Sequence, residues 1–303
     1  MPRSLTGHPD LDQGIAGFGA GAISTILLHP LDLIKTRFQV EESRRGVKRA
    51  KIGGTFRAFR SILKEEGFQK GLYRGLSPNF AGATTSWGLY FLFYSSIKRR
   101  MRSSDSEKLN AGQHLLAAAG AGIVTQFCTN PIWVVKTRMC ATAQKETGAY
   151  RGLLDGLYQI ARYEGIRGLY KGMVPAIFGT SHGAIQFMAY EEMKKWRASL
   201  RPHKDPQLDN TEYLAMAASS KMFAIIVTYP YQVIRARLQF QRLERKYEGI
   251  GDLIRKMYRI EGTGSFYRGL APNLLRTLPG TCVTFLAYEN LLRIFRAWGT
   301  VEI

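Results

Sequence analysis

Three ten-residue strings constrain this chain more than anything else in it. "HPLDLIKTRF" occupies 29–38, "NPIWVVKTRM" 130–139 and "YPYQVIRARL" 229–238. Each has a proline second, a cation five residues after it and another two further on; the prolines stand at 30, 131 and 230. A chain of 303 residues would ordinarily be divided into about two soluble domains. A period near one hundred residues predicts instead three similar units sharing one architecture. The second string also poses a chemical question. Trp133 sits among cations at the place where the first string has Asp32.

Each unit carries two apolar runs of about bilayer length, for which ~20 helical residues suffice. They are Gly14–Leu31, Leu76–Ile97, Leu109–Val135, Met173–Tyr190, Leu214–Ile234 and Leu270–Tyr288. Leu76–Ile97 holds no formal charge, Leu214–Ile234 only Lys221 and Leu270–Tyr288 only Arg276. A mean hydropathy of −0.16 is low for a membrane protein. Long basic connections dilute that average, and the runs carry polar stripes such as Thr84, Thr85 and Ser86, or Thr180, Ser181, His182 and Gln186. Helices that line a watery cavity should look so, because polar surface at membrane depth is tolerated only there. Gly17 with Gly21, and Ala118 with Gly122, supply the small-residue spacing that lets helices approach closely in lipid.

The net charge of +20 suits anionic solutes, anionic lipids or nucleic acid. A basic soluble nucleic-acid-binding protein is therefore the alternative of another class. It would show base-stacking aromatics among exposed cations and salt-sensitive binding; six runs of membrane length speak against it. Cys128, Cys140 and Cys282 lie far apart, with neither zinc-ligand spacing nor a disulfide framework. No metal set, nucleophilic triad or phosphate loop is evident, and "GFGAG" (17–21) follows no strand. An enzyme is not expected. The N-terminal string "MPRSLTGHPDLDQG" lacks the apolar core of a signal peptide and the Arg/Ser-rich character of a presequence. Lys and Arg concentrate in the connections after the first, third and fifth runs, which places those three loops together and both termini on the opposite side.

A second element repeats with the first: "EEGFQKGLYRG" (65–75), "YEGIRGLYKG" (163–172) and "IEGTGSFYRG" (260–269). The first copy has one extra residue between Gly67 and Tyr73, for which a bulged turn is expected. The paired elements, three times over, resemble the mitochondrial carrier family along residues 12–297. The resemblance implies an all-α membrane protein: six transmembrane helices in three pseudosymmetric repeats (12–104, 109–202, 210–298), with short matrix helices, forming one carrier domain over 1–303. It implies a central substrate site with alternating access.

Within that pattern the acid two residues after each proline pairs with the cation of the next repeat. Here Asp32 has Lys136, whereas Trp133 and Gln232 replace the other two acids, leaving Lys35 and Arg235 without charged partners. A weak matrix gate is expected. The family's bracing glutamine corresponds to Gln39 and Gln239, with Cys140 in the second repeat. On the cytoplasmic side "YSSIKR" (94–99), "YEEMKK" (190–195) and "YENLLR" (288–293) resemble the second gate, with Glu191 and Glu289 as acids and Lys98, Lys194 and Arg293 as cations. Cardiolipin is the lipid implied, at Gly152 and Gly249 where the matrix helices open and at Gly75, Gly172 and Gly269 where the even spans start, since helix N-termini offer free amides to phosphate.

The family's contact points carry over to Gly82, Gly179–Thr180 and Arg276. An arginine alone in hydrocarbon is a functional candidate by default. Lys221 follows with less force because a long side chain can snorkel. His182 reads as a lining residue. Trp133 suits either interface packing or stacking on an aromatic substrate or a cation. Together these residues expect a bulky, anionic, ring-bearing solute, with no cofactor and no metal. The strings "SWGLYFLFY" (86–94), "FGTSHGAIQFMAYE" (178–191) and "TYPYQVIRARLQ" (228–239) resemble the branch that carries pyrimidine nucleotides, NAD, FAD and folate, and most of all its FAD and folate carriers. A monomer in the mitochondrial inner membrane, both termini in the intermembrane space, is what the resemblance implies.

Overall fold

The computed structural model describes residues 3–4, 9–42, 52–101, 110–144, 146, 148–200, 210–241, 246–299 and 301–302. Much of the connecting charge behind the orientation expectation, at 43–51, 102–109, 201–209 and 242–245, and most of the N-terminal string lie outside these residues.

Among the described residues ten α-helices follow in threefold order. Long helices α1 (Pro9–Val40), α4 (Ala111–Ala141) and α8 (Asn210–Phe240) open the repeats. Short helices α2 (Ile52–Glu65), α5 (Leu153–Leu169) and α9 (Ile250–Lys256) follow them. The even spans are α3 (Leu76–Met101), the pair α6 (Met173–Phe178) and α7 (Ser181–Leu200), and α10 (Leu270–Trp298). A two-residue ribbon, β1 (Arg3–Ser4) antiparallel to β2 (Val301–Glu302), sets the two ends of the chain side by side.

Pro30, Pro131 and Pro230 lie inside α1, α4 and α8. Each removes a donor from the preceding turn, and the helix runs on through the cations of the motif, so the spans are longer than the apolar runs implied. The fourth span differs the other way. Its uncharged run is interrupted at Gly179–Thr180, where a turn separates α6 from α7. A Cβ on Gly179 would come within 2.8 Å of the Ala176 carbonyl oxygen, so the turn holds only while this residue has no side chain.

Two of the long helices contain stretches apolar and long enough to cross a membrane, Leu11–Val40 and Gly112–Ala141. Outward, large apolar side chains stand exposed on every span, among them Phe18, Leu27, Leu92, Leu116, Phe187 and Phe285. Such a surface needs an apolar surround.

Three small cores sit at one end of the bundle, one per repeat, where the short helices meet the odd spans: around Leu33, Ile34, Ile62 and Leu72; Val134, Val135, Tyr150 and Ile160; Tyr229, Val233, Leu253 and Met257. The extra residue of the first repeat is taken up as a π-helical turn, Phe68–Leu72. The third repeat uses a tighter 3₁₀ turn, Thr263–Tyr267. Gly122 packs closely, a Cβ there coming within 3.3 Å of Thr180, but in the first span close approach comes from different small residues than the spacing suggested. Gly17 and Gly21 have nothing within 4 Å, whereas a Cβ on Gly19 would meet Leu291 at 2.8 Å and Ala16 and Ala20 are fully buried.

Candidate functional site

The end of the bundle that carries the short helices is closed by side chains of the three proline motifs. Lys136 Nζ donates to Asp32 Oδ2 at 2.5 Å, the two side chains only 10% and 9% exposed. Lys35 Nζ donates to Gln232 Oε1 at 3.3 Å. Among the described residues no carboxylate lies within ion-pair range of Arg235. Gln39 Nε2 donates to the Tyr229 hydroxyl at 3.2 Å, and Gln239 Oε1 accepts from Thr137 Oγ1 at 2.8 Å. Cys140, in the position of the third glutamine, is buried with Sγ 3.5 Å from the Arg74 carbonyl oxygen.

Behind these contacts lies a threefold clasp that the motif strings did not suggest. Arg37, Arg138 and Arg237 each take the carboxylate of their own repeat's Glu-Gly pair in a two-pronged grip: Glu66, Glu164 and Glu261. The Nε of each donates to a backbone carbonyl of the following repeat: Cys140, Gln239 and Gln39. Arg138 and Arg237 are fully buried side chains, which bidentate charge-assisted bonding permits. One side chain therefore ties three segments together: its own span, the Glu-Gly element of its own repeat and the next repeat. The signal was present in the sequence as a second cation and a Glu-Gly that always occur together.

Gly75, Gly172 and Gly269 are tied into the same end. All three have positive φ (81°, 73°, 82°), and a Cβ on them would strike Cys140 Sγ at 2.6 Å, Gln239 Cγ at 2.9 Å and the Lys35 carbonyl oxygen at 2.8 Å. Their place is close packing of each even span against the end of the next odd span. Gly152 and Gly249, at the N-caps of α5 and α9, have open space around them and extended backbone.

Above the closed end a cavity of about 590 Å³ opens into the bundle. Its charged lining is Asp32 against Lys35, Lys136, Arg235 and Arg276, with Trp133, Gly179, Thr180, His182, Tyr231, Gln232, Gln39 and Gln239 among the other wall residues. One carboxylate faces four cations. Arg276 is not the isolated charge that its sequence context suggested: Nε stands 3.8 Å from Asp32 Oδ1, too far for a hydrogen bond, and that buried Nε has no acceptor. Asp32 thus lies between Lys136 and Arg276. His182 Nδ1 lies 3.0 Å from Thr228 Oγ1, which satisfies it as a wall residue. Lys221 lies in an adjoining chamber of about 630 Å³ shared with Arg276 and His182, and donates to Thr281 Oγ1 at 3.4 Å.

Gly82 departs from expectation. It does not line the cavity; a Cβ there would come to 3.4 Å from the indole of Trp133 and 3.3 Å from Ile132, so its bareness seats the tryptophan. The same level repeats around the axis, with Asp32 against Arg276, Trp133 against Gly82, and Tyr231 donating to the Gly179 carbonyl oxygen at 3.4 Å.

At the other end the described residues form no latch. Among the described residues Lys98, Glu191, Lys194, Glu289 and Arg293 form no ion pair with one another; Lys195–Glu192 and Arg197–Glu212 are the pairs found there. Arg293 is also out of register. Four residues after the tyrosine stand Lys98 and Lys194, but in the last span Leu292 holds that place and Arg293 is one residue on, turned ~100° around the helix. It is exposed.

The family model described as mitochondrial carrier protein matches residues 8–105, 107–199 and 206–297. Folate transporter 1, chloroplastic, of Arabidopsis thaliana is 42% identical over 302 residues, 96% of this chain and 97% of that protein. The mitochondrial FAD carrier protein FLX1 of Saccharomyces cerevisiae is 36% identical over 298 residues, 91% of this chain and 94% of its own. Nicotinamide adenine dinucleotide transporter 2, mitochondrial, of Arabidopsis thaliana is 42% identical over 287 residues, 93% of this chain and 78% of its own. The chain belongs to the mitochondrial carrier family. As a carrier it is a transporter of a small solute and not an enzyme. The threefold clasp and the one-ended closure are the carrier's architecture seen at the level of side chains.

Proposed function

We propose that this carrier moves FAD or folate across the mitochondrial inner membrane by alternating access, with NAD or a pyrimidine nucleotide as the second reading. The single supporting observation is the cavity's imbalance, four cations to one carboxylate beside Trp133 and Tyr231. It suits a solute with at least two negative charges and a flat ring. Arg276 supplies a fork for phosphate or carboxylate oxygens, and its unpaired Nε is ready to donate. Lys35 and Lys136 add positive charge as compact ammonium groups, and Arg235 adds a second planar fork. Folate, FAD and NAD, the solutes that relatives are named for, each carry acidic groups and a flat ring; the second reading stays open because a relative named for NAD is as similar as the one named for folate.

Asp32, Lys35, Lys136, Gln232, Arg235, Gln39 and Gln239 form the matrix gate in this reading. Lys98, Glu191, Lys194 and Glu289 form the cytoplasmic gate when that mouth closes. The conformation described here is accordingly the one open to the cytosol, with both termini in the intermembrane space. Gly152 and Gly249, with free space over their helix N-termini, are the cardiolipin positions this geometry favours, and the carrier acts as a monomer. The test is uptake of labelled FAD by the purified protein in cardiolipin-containing vesicles, with folate, NAD and UTP as competitors. Strong competition by folate with FAD uptake supports the first reading. Uptake displaced only by NAD or UTP supports the second. Release of the protein from membranes by alkaline carbonate would remove both.

A further inference from the structure

Between α3 and α4 a lateral chamber of about 440 Å³ opens off the main cavity, lined by Ser86, Trp87, Tyr90, Thr125, Trp133 and Arg235 among others. Trp133 and Arg235 belong to both spaces. The chamber is within the size range of sites that hold small organic ligands.

Its hydroxyls are unfinished. Thr125 is 6% exposed, yet its Oγ1 has no hydrogen-bond partner, and neither has Ser86 Oγ. Roughly nine in ten buried polar groups in native proteins are paired, and leaving one unpaired costs the desolvation of that group. Two such hydroxyls in one chamber await the same visitor. Its walls are aromatic. Trp87 and Tyr90 meet edge to face at 6.2 Å and 88°, and Trp133 is held by its contact with Gly82. Arg235 completes the set. Trp133 takes the place at which its acid partner would stand, so the guanidinium has no carboxylate among the described residues and faces the chamber. An acyl chain would satisfy none of these polar groups. A flat heterocycle with carbonyl and N–H groups along one edge would satisfy all of them.

Resting on the reading of an anionic, ring-bearing solute, the geometry points to a bipartite site in which this lateral chamber is the ring pocket. The heterocycle stacks against Trp133, exchanges hydrogen bonds along its amide edge with Ser86 and Thr125, and takes a hydrogen bond from Arg235 at a ring carbonyl. The acidic groups of the same molecule stay in the main cavity with Arg276, Lys35 and Lys136. Selection among cargoes is then made in the lateral chamber by ring size and edge chemistry, and the main cavity selects only for charge.

The experiment is ligand-dependent thermal stabilisation of the full-length purified carrier, using FAD, folate, riboflavin (the ring without the phosphates) and pyrophosphate (charge without a ring). Thr125→Val and Ser86→Ala each raise the half-saturating concentration of FAD or folate by about 3–10-fold, the worth of one neutral hydrogen bond. Pyrophosphate stabilises both variants as it does the wild type. Without ligand their unfolding midpoints are unchanged or higher, since each change removes an unpaired buried hydroxyl; a merely structural role would lower them. Thr125→Ser restores most of the affinity lost in Thr125→Val. If Thr125→Val does not fold, Ser86→Ala carries the same comparison.

Equal affinities for ring compounds in wild type and variants overturn the ring pocket, as does a loss shared by pyrophosphate. Riboflavin stabilisation that depends on the hydroxyls, together with no uptake of FAD, folate or NAD, leaves the pocket standing and removes the cargo reading. Uptake of FAD that neither hydroxyl variant affects does the reverse. If no ring compound stabilises the wild type, the pocket is overturned.

Discussion

Arg276 stands seven residues after Gly269, where the first two repeats have Gly82 and Gly179 at the same offset from Gly75 and Gly172. Two bare positions make room, one for Trp133 and one for a turn, and the third fills the axis with a guanidinium. Arg276→Ala removes a charged donor worth about 1.5–3 kcal/mol to an anion. The expected outcome is a roughly 10- to 150-fold loss of uptake efficiency with the unfolding midpoint preserved, because Asp32 keeps Lys136. Uptake within twofold of wild type would show that the anion sits elsewhere. Trp133 and Gln232 invite the opposite change. Trp133→Glu with Gln232→Glu gives Arg235 and Lys35 the acids they lack, stabilises the closed end and slows turnover in vesicle uptake. An unchanged turnover rate would mean that the latch does not limit transport.

At the scale of elements the clasps join each odd span to its own repeat and the next. Burial opposes charge on Glu164, but hydrogen bonds from Arg138 and Lys171 outweigh it and hold the carboxyl below its usual range. A depressed carboxyl contributes stability fully above the unfolded value of about 4.3, and that contribution is lost as pH falls through the lower folded value. Glu164→Gln strands a fully buried guanidinium and is expected to cost about 3–5 kcal/mol, read as a lower thermal midpoint at neutral pH that converges on wild type in acid. Gly75→Ala meets both a positive φ and Cys140. It should destabilise by about 1–3 kcal/mol, and adding Cys140→Ala should recover only the part due to contact. The elements themselves were legible: periodicity, prolines and uncharged runs located all six spans. The break at Gly179–Thr180 was not, because an uncharged run shows no interruption and the turn depends on a missing Cβ. The clasps were hidden by drift in the spacing between Arg and Glu, 29, 26 and 24 residues in the three repeats.

For the whole molecule, threefold likeness in sequence carried the architecture, and departures from it carried the site. Of the closed end the ion pair was readable, since Asp32 and Lys136 follow the pattern and meet, whereas the clasps behind it were not. The geometry of Arg276 was not, because no string reveals that α10 sets it opposite a carboxylate of α1. Gly82 was placed on the wall for the same reason. A double-mutant cycle tests the closure: Asp32→Asn and Lys136→Met each reduce thermal stability, and the pair together costs less than the sum of the two. Strict additivity would mean that the two side chains do not communicate.

Among the described residues Asp32 is the sole acid in a basin of positive side chains, and it is spoken for from two directions. On the proposed function, a doubly negative cargo would compete with it for the same cations, so that arrival of the solute and loosening of the fastener would be one event. In that reading the bolt has no rival without cargo and stays shot. Such a device needs no separate sensor to stop the membrane from leaking between deliveries; the passenger is the key.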